Sequence, residues 1–419
     1  MWRSILVIAI LLIAHQCLFA QDHTIPIGRI KLEDTTNVKK HSNPKFDKNG
    51  QYDLIDVGMC ALHASGIRKP DTAALQPGKI HLSLIPGVGY SLQTGFAAVI
   101  QGIAGFYTSK MPDANQSSIE SSFNYTQLKQ ILFPIQGNLW LADNKYNIQT
   151  DWRYLQFPQM TYGLGGYSSL NNGYFFDYSN IRAYTTIYRE VAKDALFGIG
   201  YDFDYIWDMH EVSPPKGDET DLEKYGFKGT SYSSGLTANF LYDTRRNSIN
   251  PAGGNFLNIV YRPNPVALGS TNTWQSLVID TRKYIPIPNT HSLLAFWSYD
   301  WLTLSGNPPY ALLPNTGGDP YANTGRGYTE GRFRGRNMLY LESEYRFGIT
   351  KNGFLGGVVF SNIETFSEQN TNQFARYYPG FGAGLRIKFN KFSRTNVCLD
   401  YALGVDGSRG VFINLGEVF

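Results

Sequence analysis

Beyond its first twenty residues this chain has no apolar run near the roughly 20 residues that a membrane-crossing helix requires. Cysteine is scarce: Cys17, Cys60 and Cys398 are the three in 419 residues. Once a leader is removed, the two that remain are too few and too far apart for the disulfide framework of a small secreted domain. Charge is thin and balanced, with 37 Lys and Arg against 34 Asp and Glu and a net of +3. A nucleic-acid binder needs a concentrated basic face, so nucleic acid is excluded as a partner. The sequence has no Walker loop, dinucleotide fingerprint or Cys/His metal pattern, and no cofactor is expected. What it does have is 15% aromatic residues and 42 glycines at a mean hydropathy of −0.26. An aromatic-rich chain without membrane helices favours a membrane protein built from strands.

The amino terminus reads as a secretory leader. Arg3 precedes an apolar run from Ile5 to Ala14, then Leu18-Phe19-Ala20 and the polar Gln21-Asp22, which predicts a signal peptide over 1–20. Cys17 invites lipidation, but Gln16 stands where a small residue is needed, and the lipoprotein reading is set aside. Residues 21–78 form a polar lead-in, read as a short periplasmic extension. Within it LIDVGMCALHAS suits one short amphipathic helix.

From residue 79 to 419 the pattern is period-two alternation broken by turn clusters, and a single domain is expected there. In ALFGIGYDFDYIW (195–207), Phe197, Ile199, Tyr201, Phe203, Tyr205 and Trp207 share one side, while Asp202 and Asp204 share the other with glycines. In YLESEYRF (340–347), Leu341, Tyr345 and Phe347 oppose Glu342, Glu344 and Arg346. Aromatic faces outside and charges inside is the inverted arrangement of a lipid-embedded barrel. The fold class is therefore all-β, a sixteen-stranded antiparallel transmembrane β-barrel. Short connections at 141–144, 191–194, 286–290 and 349–352 are read as periplasmic turns; long ones at 163–180, 211–233, 305–337 and 367–380 face outward. The last strand, GVFINLGEVF, places Val411, Ile413, Leu415 and Phe419 on one face, as if Phe419 anchored at the periplasmic membrane interface.

The longest outer connection holds GRGYTEGRFRGRN (325–337), four arginines in a short stretch before strand twelve. Two readings stand: a solvated basic loop at the lipopolysaccharide surface, or a loop folded back into the lumen with Arg326 paired to Glu342 or Glu344. Arg326, Gly327 and Tyr328 resemble the Arg-Gly-Phe/Tyr of the sixth outer loop in the BamA/TamA-type surface-antigen superfamily of outer-membrane barrels. YDTRRNSINPAGGNF (242–256) is similar to that family's Asp-, Pro- and Gly-rich turn into strand nine, and GYSLQTG near Tyr90 also fits. The resemblance covers roughly residues 79–419. It implies a long lumen-inserted loop between strands 11 and 12, locked by Arg326, Gly327, Tyr328, Arg334 and Arg336 against Glu342, Glu344 and Ser361. Ser361 or Asn362 stands where the family has Asp. The 58 residues of the extension are too short for a POTRA domain with its linker, so the chain resembles short members lacking POTRA domains.

By the same resemblance, the seam between first and last strands would open toward lipid, and the protein would assist insertion or translocation of protein or lipid substrates. Pro86, Gly87 and Gly89 weaken the first strand, as a labile seam requires, or else mark a bulge that closes the barrel; Phe419 completes the seam. Two other classes stay open. One is a passive pore lined by Asp151, Arg153, Asp202, Asp204, Asp280, Arg282, Arg386, Lys388 and Asp400. The other is a structural, partner-binding or dimeric barrel. Expected partners are outer-membrane lipid and lipopolysaccharide, a periplasmic protein reached through residues 21–78, and a second copy of the chain. The expected location is the Gram-negative outer membrane. No enzyme is expected: His210, beside Asp208 and Glu211, lacks the neighbours a triad uses, and these three make a poor cation site.

Overall fold

The computed structural model describes residues 50–61, 79–91, 95–111, 114–127, 129–217, 219–226, 229–320 and 322–419. The leader and most of the extension lie outside them. Seventeen strands form one antiparallel sheet: β1 (His81–Ser91), β2 (Gly95–Phe106), β3 (Ser117–Thr126), β4 (Ile131–Leu141), β5 (Tyr146–Gln156), β6 (Gln159–Thr161), β7 (Tyr174–Ala192), β8 (Ala195–Val212) and β9 (Gly229–Asp243), then β10 (Gly254–Asn264), β11 (Trp274–Pro286), β12 (Leu293–Gly306), β13 (Asn337–Gly348), β14 (Leu355–Phe366), β15 (Tyr378–Asn390), β16 (Thr395–Leu403) and β17 (Arg409–Leu415). Apart from β5 and β6, each strand pairs with the next in sequence, as a meander. The count exceeds the expected sixteen by one because the fifth strand is broken. β5 and β6 pair with consecutive stretches of β7, interrupted at Phe157-Pro158, where Pro158 has no N–H to give to a ladder. Among the described residues, no hydrogen-bonded register joins β1 to β17.

Alternation sets the faces. Ile199 is 62% exposed and Leu341 56%, whereas their neighbours Gly200 and Glu342 are buried. The sheet curls enough that inward side chains from β3 to β12 line one cavity. Connections alternate in length, with 193–194, 349–354 and 391–394 at one end and 162–173, 213–228, 307–336 and 367–377 at the other. The β1–β2 register runs unbroken through Pro86, Gly87 and Gly89, which pair with Ile100, Val99 and Ala97, so no bulge lies there.

Helix α1 (Leu54–Ala61) forms within the stretch expected to be helical. Asp53 caps it by accepting from the Asp56 N–H at 2.8 Å. The same segment is stapled to the short-turn end of the sheet. Asp53 accepts from the Lys391 N–H at 2.9 Å, Asp56 pairs with the Lys391 ammonium at 2.9 Å, and the Tyr52 N–H donates to Asn352.

The ending departs from the sequence reading. β17 stops at Leu415, and Gly416, at φ +94°, turns the last residues inward rather than along the lipid face. Phe419 is 2% exposed and stacks on Trp297 at 5.2 Å inside the sheet. Glu417, which spoils the apolar face in the sequence, is the reason: its carboxylate meets Arg386 at 2.7 Å and Arg346 at 3.7 Å within the interior. Phe419 is thus no membrane-interface anchor here.

Candidate functional site

The connection 307–336 runs into the interior of the sheet. Arg326 ends there 1% exposed, its Nη1 bonded to Asp400 of β16 at 2.7 Å and its Nη2 to both Glu342 and Glu344 of β13. Its guanidinium lies 3.6 Å from the centre of the Phe360 ring. The acids are shared onward. Asp400 also meets Arg386 at 2.5 Å, Glu344 meets Arg346 at 2.6 Å, and Arg346 donates to the Phe419 carbonyl at 3.0 Å. Three guanidiniums and four carboxylates, counting Glu417, therefore tie the loop to β13, β15, β16 and the terminal residues. In an interior shielded from water, each hydrogen-bonded ion is held in place because leaving one unpaired is costly.

The loop backbone fits as closely. Gly327 has φ +112°, and a Cβ there would lie 2.9 Å from the Leu403 carbonyl, so glycine is required on both counts. The Tyr328 hydroxyl donates to the Pro379 carbonyl at 2.7 Å and accepts from the Val405 N–H at 3.1 Å. Burial pushes that phenol up to about 12. Phe333 stacks on Tyr378 at 3.8 Å, and both join Trp297, Tyr340 and Phe419 in one apolar cluster.

The remaining arginines of the string separate. Arg334 is buried in another place, donating to the Tyr310 carbonyl at 2.9 Å and to Gln159 at 2.8 Å; burial holds its pKa below the usual value. Arg332 clasps Ser168, so the loop is stapled to connection 162–173. Arg336 is half-buried and bonds Asn307 and Gly306. Neither Arg334 nor Arg336 joins the acid cluster. Ser361 is likewise outside it, since it points outward opposite Ser343 while Asn362 points in and donates to the Arg326 carbonyl at 2.8 Å. Asn362→Ala should therefore destabilise by about 1–2 kcal/mol through a buried carbonyl left unpaired, and Ser361→Ala by almost nothing. Urea midpoints for the two variants decide it.

The other charges named from the sequence lie on the inner wall and are neutralised in pairs. Arg153 meets Asp151 at 2.6 Å, Arg282 meets Asp280 at 2.7 Å, and Arg262 meets Asp204 at 2.8 Å and Asp202 at 3.9 Å. Lys388 is half-buried and donates to the Arg394 carbonyl at 3.4 Å. His210 and Asp208 are exposed, and among the described residues no group of three or more metal-binding side chains is assembled.

Sequence reasoning missed two features. Asp400 was assigned to the wall rather than to Arg326; its inward place in VCLDYAL beside Arg386 was the available signal. The connection 244–253 also reaches across one mouth of the sheet, where Asn247 and Asn250 donate to the Ser393 and Arg394 carbonyls at 3.1 Å and Ile249 accepts from the Glu417 N–H at 2.9 Å.

A curled antiparallel sheet, inverted in polarity and filled by its own longest outer loop, is the architecture of an outer-membrane β-barrel. More particularly, the fold is that of BamA-type barrels. The chain is similar to BamA from Haemophilus ducreyi lacking POTRA domains 1-3 (TM-score 0.54, 15% identity, 80% of this chain and 69% of that one). It is also similar to CdiB from Acinetobacter baumannii (0.52, 13%, 81% and 60%) and CdiB from Escherichia coli (0.52, 8%, 84% and 63%). It spans less than two thirds of either CdiB. At these identities the likeness shows the fold. No protein-family profile matches the sequence, and no curated protein does.

Proposed function

We propose that this chain is a closed barrel of sixteen staves in the outer membrane, non-catalytic, which assists insertion or translocation of protein or lipid substrates through a labile seam between β1 and β17. The observation that carries the reading is the absence of a β1–β17 register among the described residues, while every other neighbouring pair is laddered. Unpaired strand edges are templates for another chain. A passive pore fits less well. The loop 307–336, the connection 244–253 and the turned-in terminal residues occupy the interior and one mouth, and the wall charges are spent on one another. The α1 segment, bound to the 349–354 and 391–394 turns, would sit on the periplasmic side and place the amino-terminal extension where a periplasmic partner could meet it.

The test uses vesicles and planar bilayers. Vesicles containing the protein should convert an added unfolded outer-membrane barrel to its heat-resistant form faster than empty vesicles do. In planar bilayers the wild type should stay near baseline, and a variant with residues 320–336 replaced by a short Gly-Ser turn should conduct. Steady wild-type conductance without any acceleration would overturn the proposal in favour of a passive pore.

A further inference from the structure

Away from strand ends, the outer face of the described strands carries a single charge. On β12, Phe296 is 43% exposed and faces outward, whereas Trp297 and Tyr299 are buried on the inner side. Period two therefore puts Ser298 and Asp300 on the outer face, both half-buried. Asp300 stands seven residues from Leu293 and six from Gly306, the two ends of β12. Its rung continues as Ile279 on β11 and Leu339 on β13. The other outward charges differ in position. Asp177 and Asp208 lie toward the outer ends of β7 and β8, and the long side chains of Arg189 and Lys283 start near the opposite ends of β7 and β11, within reach of water. Asp300 is too short and too far from either end for that.

Its carboxylate accepts from the Ser298 hydroxyl at 3.3 Å and lies near the Tyr340 N–H. Among the described residues no Lys, Arg or His comes within ion-pair range of it. A carboxylate on a lipid-facing wall disfavours the embedded state unless a partner covers it. Around it the wall is low. Thr281, opposite Ser298, and Ser343, opposite Ser361, are exposed hydroxyl residues on β11, β13 and β14, so another backbone can come close there. A lipid amine stays at the headgroup level, so a cation at the depth of Asp300 has to arrive on a membrane-embedded chain. A second copy in the same membrane would bring Arg189 and Lys283 at strand ends, at the wrong depth.

We propose that the outer face of β11–β14 docks a membrane-embedded segment of another protein, which presents a Lys or Arg to Asp300. The site rests on the outer-membrane placement of the barrel and needs neither the seam nor the Arg326 cluster.

The probe is a synthetic membrane-spanning leucine–alanine helix with one central lysine and a dansyl label, mixed with the full chain in phosphatidylcholine vesicles. Energy transfer from the tryptophans of the chain to the label should exceed transfer to the same helix without lysine at equal density. Asp300→Asn should reduce it to that background, and Asp300→Glu should keep most of it. Asp300→Leu should hold or raise heat resistance on gels, since a carboxylate leaves the lipid face. Equal transfer to both helices, or transfer unchanged in Asp300→Asn, would overturn the proposal. A clear loss of heat resistance in Asp300→Leu would also overturn it, by giving the carboxylate a role within the wall. So would cross-linking of a Leu341→Cys, Cys60→Ser variant to a second copy that is lost on adding Asp300→Asn, since the face would then be a homodimer contact. A chain that never takes up its heat-resistant form in the vesicles would overturn the membrane placement, and the site with it.

Discussion

Arg326→Ala should be among the most destabilising single substitutions in this protein, by about 3–5 kcal/mol, because it takes a guanidinium from three buried carboxylates and leaves Glu342 without its arginine. Asp400, Glu342 and Glu344 all converge on that guanidinium, and only Asp400 and Glu344 have a second arginine within 2.6 Å. The expected readout is a fall in the temperature at which the compact, fast-migrating gel band converts to the unfolded one. Arg326→Lys should rescue little, since one ammonium cannot serve acids placed at two separate ends of the planar fork. Glu342→Gln added to Arg326→Ala should recover part of the loss by removing one stranded charge. Arg336→Ala, whose side chain bonds Asn307 and Gly306 away from the acid cluster, should lose far less. An Arg326→Ala band that converts at the wild-type temperature would refute the account of the cluster.

Phe419→Ala should cost about 3 kcal/mol, the scale of emptying a packed aromatic site. The ring is wedged between Trp297 at 5.2 Å and Tyr284 at 6.2 Å, with the Arg346 guanidinium 5.1 Å from its centre. Two readings of this residue predict different things. A lipid-interface anchor lost to alanine would lower the amount of protein reaching the membrane and leave the lumen shut. An interior wedge lost to alanine should leave membrane yield near wild type, lower heat resistance and raise planar-bilayer conductance. Measuring yield and conductance together separates the two, and a reduced yield with baseline conductance would return Phe419 to the lipid face.

The wall was legible in the sequence because period-two alternation is a local signal: Leu341 against Glu342 needs no knowledge of the rest of the chain. The link between Arg326 and Glu342 and Glu344 was legible for a related reason, since loop and acids are close in sequence and the acids face inward. Asp400 was not, because 74 residues separate it from Arg326 and no periodicity connects them. Ser361 was misplaced by one residue, which in a strand means the opposite face; Asn362 does the inward bonding. The terminal residues were misread because alternation assumes a strand that continues, and Gly416 ends it. In retrospect Glu417 carried the warning, as an acid on a face otherwise bound for lipid.

The cluster around Arg326 also dictates an order of assembly. Two of its four carboxylates and one of its three guanidiniums, Asp400, Glu417 and Arg386, belong to segments that follow the loop in the chain. A contact between residues so distant in sequence forms only after the entropy of closing the intervening chain has been overcome. A nascent sheet completed only through β14 would therefore hold Arg326 by Glu342 and Glu344 without Asp400, its loop fastened besides by Arg332 at Ser168, Arg334 at Gln159 and Asn362 at the Arg326 carbonyl. Such an intermediate would be more open to added protease at 307–336 than the finished sheet, and full resistance there would arrive last, as the clock of finished folding.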